Sequence, residues 1–125
     1  MPIRIKISPL DHMIIGETEG EVTLADLLGY FDSVTAARAL HFRKIFDSTN
    51  GTSVLSDDDV AVLKVRMNAF VEAGRVGPFA VVAGSQRHGR LAAICQTVAS
   101  ADRPMRVFRD IRSARLWLDN QPLGR

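Results

Sequence analysis

Met105-Arg-Val-Phe-Arg-Asp110 runs without a spacer into Ile111-Arg-Ser-Ala-Arg-Leu-Trp-Leu118, so a short strand turns directly into a terminal helix. Val107 and Phe108 supply strand-type bulk. Asp110 is placed to accept a hydrogen bond from an otherwise unpaired N–H of the first turn. Ile111, Ala114, Trp117 and Leu118 recur on one helical face, which is expected to dock on a sheet and to bury Trp117.

The rest of the chain supplies that sheet. Phe79-Ala-Val-Val-Ala83 is apolar throughout, the pattern of an interior strand covered on both faces. Ile3, Ile5 and Ile7 alternate with Arg4 and Lys6, as in a strand near an edge with one wet face. Ser8-Pro9-Leu10-Asp11 then turns into a second strand from His12 to about Thr18. Thr23 and Asp26 form a capping-box pattern ahead of Leu24, Leu27, Leu28, Phe31 and Val34, which share a helical face. Phe42 to Asp47 reads as a strand, and Ser48 to Ser53 as a polar loop. Ser56 caps a second helix lined by Val60, Leu63, Met67, Phe70 and Val71. Asp57, Asp58 and Asp59 sit at the positive end of its dipole. Gly74 and Gly77-Pro78 end it. A third helix is expected from about Gln86, with Leu91, Ile94, Cys95 and Val98 inward, broken by Asp102-Arg103-Pro104. Cys95, on that apolar face, is expected to be a buried core residue.

The order β, β, α, β, α, β, α, β, α defines an α/β protein. It predicts one mixed, mostly parallel sheet of four to five strands with four helices, opening on an antiparallel hairpin. At 125 residues, 46% hydrophobic and 24% charged, the chain is expected to form a single domain over residues 1–125 with one core. The net charge of +2 is spread along the chain, which argues against a nucleic-acid partner. A lone cysteine allows no intrachain disulfide and fits a reducing, cytoplasmic setting. No run approaches the ~20 apolar residues of a membrane span, and the alternation from Ile3 to Ile7 is unlike a leader peptide.

This order, with Val22-Thr23 opening the first helix, a strand ending in Asp47 and the ending Val107-Phe108-Arg109-Asp110 to Trp117-Leu118, resembles the bacterial SpoIIAA-like family. Its members are small domains related to STAS anti-sigma-factor antagonists and, more distantly, to SEC14-type lipid-binding folds. The resemblance implies a regulatory, non-enzymatic domain that acts by protein contact, with a phosphorylatable serine opening the helix after the aspartate-ended strand. Ser56 occupies that neighbourhood, but the family's Asp-Ser-Ser-Gly pattern is absent. A phosphate beside Asp57, Asp58 and Asp59 would lose by repulsion what it gains from the dipole, so Ser56 is expected to act as an N-cap.

Two stretches are candidate sites. Asp47, Ser48, Ser53 and Ser56 would form a partner-contact loop with the adjoining helix, for a protein partner or a second copy of the chain. Alternatively the chain would be a small-molecule, lipid or anion-binding protein or enzyme that uses the turn from Gly84 to Arg90, where a buried strand feeds a helix and Ser85, Arg87, His88 and Arg90 would hold an anionic group through backbone N–H groups and positive charge. That stretch lacks the lysine and glycine spacing of a phosphate-binding loop. No nucleophile and base are paired in sequence, and no cofactor is implied. His12, His41 and His88 show no ligand spacing, so a metal site is not expected unless the fold alone brings them together.

Overall fold

The computed structural model describes residues 3–72, 76–83, 94 and 105–121. The chain runs β1 (Ile3–Ser8), β2 (Met13–Val22), α1 (Leu24–Ala36), β3 (Arg43–Ser53), α2 (Asp57–Glu72), β4 (Phe79–Val82), β5 (Met105–Phe108) and α3 (Ile111–Asp119). The five strands form one sheet in the order β1-β2-β3-β4-β5. β1 is antiparallel to β2, and the other three pairings are parallel. Three helices lie among the described residues where four were expected. The stretch expected to form the other, from Gln86 through Cys95 to Val98, lies outside them except for Ile94.

Each parallel step moves one strand further in the same direction, and right-handed crossovers then place the connecting helices on one face. α1 and α2 share that face. Ile94, from the connection between β4 and β5, is buried with them against Ile14, Phe46, Phe79 and Val81. After edge strand β5 the chain crosses to the opposite face, where Ala114 and Leu118 of α3 pack on Met13, Ile45, Ala80 and Val82. β4 is therefore covered on both sides, and all its residues are buried, as its unbroken apolar run requires. β1, whose Arg4 and Lys6 face solvent, is an edge strand.

The helix starts follow from side-chain chemistry. Thr23 Oγ1 accepts from Asp26 N–H at 3.2 Å while Asp26 Oδ2 accepts from Thr23 N–H at 2.9 Å, a complete capping box. α2 opens the same way: Ser56 Oγ accepts from Asp59 N–H at 3.1 Å and Asp59 Oδ2 from Ser56 N–H at 3.0 Å. Asp59 thus closes a capping box in addition to complementing the dipole. Asp110 Oδ1 accepts from Ser113 N–H at 2.7 Å and caps α3. That bond, helped by the Ser113 hydroxyl, holds the Asp110 carboxyl below the usual carboxylate range.

The polar run Ser48 to Ser53 is strand, not loop. β2 continues past Thr18 to Val22 and pairs Glu19 with Asn50, Gly20 with Gly51, Glu21 with Thr52 and Val22 with Ser53, so β3 extends with it. A bulge separates this ribbon from the main sheet, because Ser48 and Thr49 together oppose Thr18 between the pairs Glu17–Asp47 and Glu19–Asn50. Thr18 Oγ1 donates to the Asp47 carbonyl there at 3.1 Å. Composition pointed to a loop because hydroxyl and amide side chains dominate; backbone pairing with β2 decided otherwise.

Two residues of α3 also lie differently from expectation. Ile111 is 38% exposed, and Trp117 is half-buried, packed on Phe108 of the edge strand with ring centroids 5.6 Å apart. The Arg106 guanidinium lies 5.7 Å over the indole. Among the described residues, Ala114 and Leu118 carry the buried face of α3. In α2 Leu63 and Met67 are buried as expected and Val60 is half-buried, while the side chains of Phe70 and Val71 lie outside the description.

Candidate functional site

α2 is apolar on two sides. Its inner side buries Leu63 and Met67, and the Arg66 guanidinium pairs with the Asp32 carboxylate of α1. Its outer side carries Ala61, Val62, Val65 and Ala69, all exposed, at a spacing that lines them up along the helix. Val62 is 46% and Val65 71% exposed, and Val54, just before the capping serine, is 50% exposed. A helix that needed only its inner face would carry polar residues at these positions. Asp57 and Asp58, also exposed, make the start of this face acidic.

The four residues of the expected contact loop are placed differently from one another. Ser48 is fully buried, and its Oγ donates to the Val82 carbonyl at 2.8 Å, closing off the end of β4. The Asp47 carboxylate turns back to accept from Thr49 N–H at 3.0 Å. Ser53 Oγ accepts from Leu55 N–H at 3.2 Å and helps turn the chain from β3 toward α2. Ser56 is exposed and held in the capping box. Ser53 and Ser56 therefore adjoin the outer face of α2, while Ser48 serves the sheet interior.

Ser85, Arg87, His88 and Arg90 of the alternative site lie outside the described residues, as does Cys95. A small cavity of about 10 Å³ lies between the sheet and α1 and α2, lined in part by Tyr30, Phe31, Lys44, Met67 and Phe79. It has room for about one water molecule and not for a metabolite. Lys44 is only 2% exposed, and its ammonium donates to the carbonyls of Leu40 and, at 2.8 Å, Phe42. Sequence reading missed this residue, since a lysine in a strand beginning Arg-Lys reads as solvated. Its signal was the alternation itself: Lys44 and Phe46 share the inward parity of β3.

The fold brings His12 and His41 together, which their spacing did not suggest. Parallel pairing sets Met13 beside Arg43, so His12, just before Met13, comes near both residues that precede Arg43, His41 and Phe42. The rings of His12 and His41 are 6.2 Å apart, and Phe42 makes edge contacts with both, at 5.1 and 4.9 Å. Among the described residues, no group of three or more His, Cys, Asp or Glu is placed to hold a metal ion.

An α/β sheet in this order, with an antiparallel opening strand and a terminal helix crossing to the far face, is the SpoIIAA-like fold. The chain superposes on the crystal structure of an uncharacterized DUF3478-family protein with a SpoIIAA-like fold from Shewanella loihica PV-4, with a TM-score of 0.61. That match covers 93% of this chain and 91% of the other at 17% identity, so it defines the fold and leaves the activity open. No family model matches the chain, and no curated protein is significantly similar to it. Among the described residues, no helix is long and apolar enough to cross a membrane.

Proposed function

We propose that this protein is a non-enzymatic regulatory domain that binds a protein partner through the outer face of α2 and the segment from Ser53 to Ser56 leading into it. The observation that carries this reading is the exposed row of Ala61, Val62, Val65 and Ala69 on a helix that already buries its other side. Burying such a face against a partner removes apolar surface from water at roughly 25 cal/mol per Å². The neighbouring carboxylates Asp57 and Asp58 would select a partner with basic residues at that end and repel an acidic one. Ser56 serves as a cap and not as a phosphate carrier, so partner exchange here does not run through a phosphoserine at this position.

The test is site-specific photo-cross-linking in the native host from residues 62 and 65, with residue 112 on α3 as the control position. Cross-links to one defined protein, or to a second copy of the chain, from α2 only are expected. The double substitution Val62→Asp/Val65→Asp should abolish the interaction while changing stability by no more than about 0.5 kcal/mol, since both sites are exposed. Equal cross-linking from α2 and α3, or none from either, would refute the assignment.

A further inference from the structure

We propose that the partner on the outer face of α2 is a second copy of this chain, its own α2 packed antiparallel across the first about a two-fold axis near Ala61. The inference rests on reading that face as the contact surface, and it names what covers it. Asp57 and Lys64 are both exposed, and neither forms an ion pair among the described residues. Seven residues apart, they stand on the same flank of the helix, about two turns from each other. Arg66, the other cation of this helix, already pairs with Asp32 of α1. The outer side of α2 thus carries an acid, a small residue and a base in succession, with Ala61 midway between Asp57 and Lys64.

A helix with that charge order is complementary to itself when reversed. A two-fold axis perpendicular to both helices sets each flank beside the same flank of the other copy. With the axis near Ala61, the Asp57 carboxylate of each copy meets the Lys64 ammonium of the other, and the pair is made twice. Parallel packing would instead bring the two acidic first turns side by side, where like charges repel.

The apolar residues fit the same arrangement. Ala61 is small enough to let the two backbones approach where the helices cross. Val62 of each copy then lies close to its counterpart beside the axis, and Val65 covers the first turn of the other helix, so the exposed valines leave water together with the charges that flank them. About three turns of one helix offer less than the ~800 Å² per partner of a standard interface. The dimer should therefore be weak, its population set by concentration and salt.

The experiment is sedimentation equilibrium of the purified intact chain from about 10 µM to 1 mM, at low and at high salt. Wild type is expected to dimerise, less tightly in high salt. Asp57→Lys places lysine at both positions of the flank, and Lys64→Asp places aspartate at both. Either variant alone should therefore self-associate about tenfold or more weakly. An equimolar mixture of the two restores both opposite-charge pairs and should dimerise like the wild type, a recovery that also shows both variants folded. Wild type that stays monomeric at about 1 mM, single variants that dimerise undiminished, or a mixture no tighter than its parts would each overturn the proposal. The two readings fail separately: a monomeric chain whose residues 62 and 65 cross-link a different protein in the host keeps the α2 contact face and removes only this occupant.

Discussion

Gly77 is where a single methyl group should do the most damage. It lies buried just before β4, and its N–H donates to the Leu40 carbonyl at 2.8 Å, while the next carbonyl, of Pro78, accepts from Lys44 N–H at 2.9 Å. This strap binds the start of β4 to the turn that feeds β3. A Cβ on residue 77 would stand 2.2 Å from the Phe42 carbonyl oxygen and 2.5 Å from that of His41. Both are backbone atoms, so no side chain can swing aside, and either the strap or the turn must move. Overpacking of this kind costs typically 1–3 kcal/mol. Losing the strap's hydrogen bond to Leu40 adds roughly 1 kcal/mol. Gly77→Ala is therefore expected to cost about 3 kcal/mol, a large part of a typical total of 5–15 kcal/mol. Gly29→Ala is the matched control: Gly29 is exposed within α1, a Cβ there meets nothing within 4 Å, and the change should stabilise by roughly 0.5–1 kcal/mol. Urea denaturation followed by far-UV circular dichroism, with all chains fitted to a common slope, measures both. A Gly77→Ala midpoint equal to the wild type would show that the strap is not the close contact described, and would undo the reasoning.

Ser56→Ala removes half of the capping box at α2 and should cost about 1 kcal/mol by the same denaturation assay; substantial phosphate on Ser56 in protein from the native host would contradict its role as a cap. Trp117→Ala should cost about 1–2 kcal/mol, less than a fully buried indole, because one side of the ring stays wet; a loss of 4 kcal/mol would mean that something covers it. The Asp110 carboxyl is held below its ordinary value in the folded state, so its cap contributes stability at pH values above the unfolded value of about 3.9, and that contribution is lost as pH falls through the lower folded value. Asp110→Ala should therefore lower the melting temperature at neutral pH, with the gap to wild type closing as pH falls through the lowered folded value; a gap that stays constant as the solution is acidified would place the effect elsewhere.

Much of the architecture is legible in the sequence because its signals are local. Thr23 with Asp26, Ser56 with Asp59 and Asp110 with Ser113 each settle a helix start within one turn of chain, and the Phe79 run fixes the interior strand without reference to anything distant. What escaped local reading depended on partners far along the chain. Ser48 to Ser53 is polar enough to be a loop and becomes strand only because β2 runs on beside it to Val22. Trp117 has the spacing of a core residue but lies over the last strand, where the sheet ends. Lys44 reads as a surface charge until its parity with Phe46 is combined with helices covering that face. The pairing of His12 with His41 follows from the register of two parallel strands, which no spacing within either segment encodes.

The same register keeps the proposed partner face of α2 apart from the pair His12 and His41. Parallel strands keep all their N-terminal ends on one side of the sheet, and there His12 and His41 meet at the entries to β2 and β3. α2 begins from the opposite side, after the C-terminal end of β3, so Ser56 and the acidic first turn lie a strand's length from the imidazoles. Its outer row of valines points away from the sheet altogether, since Leu63 and Met67 occupy the inward side. A partner bound to α2 would then leave the histidine end of the sheet uncovered. Removing either histidine should therefore not alter cross-linking from residues 62 and 65.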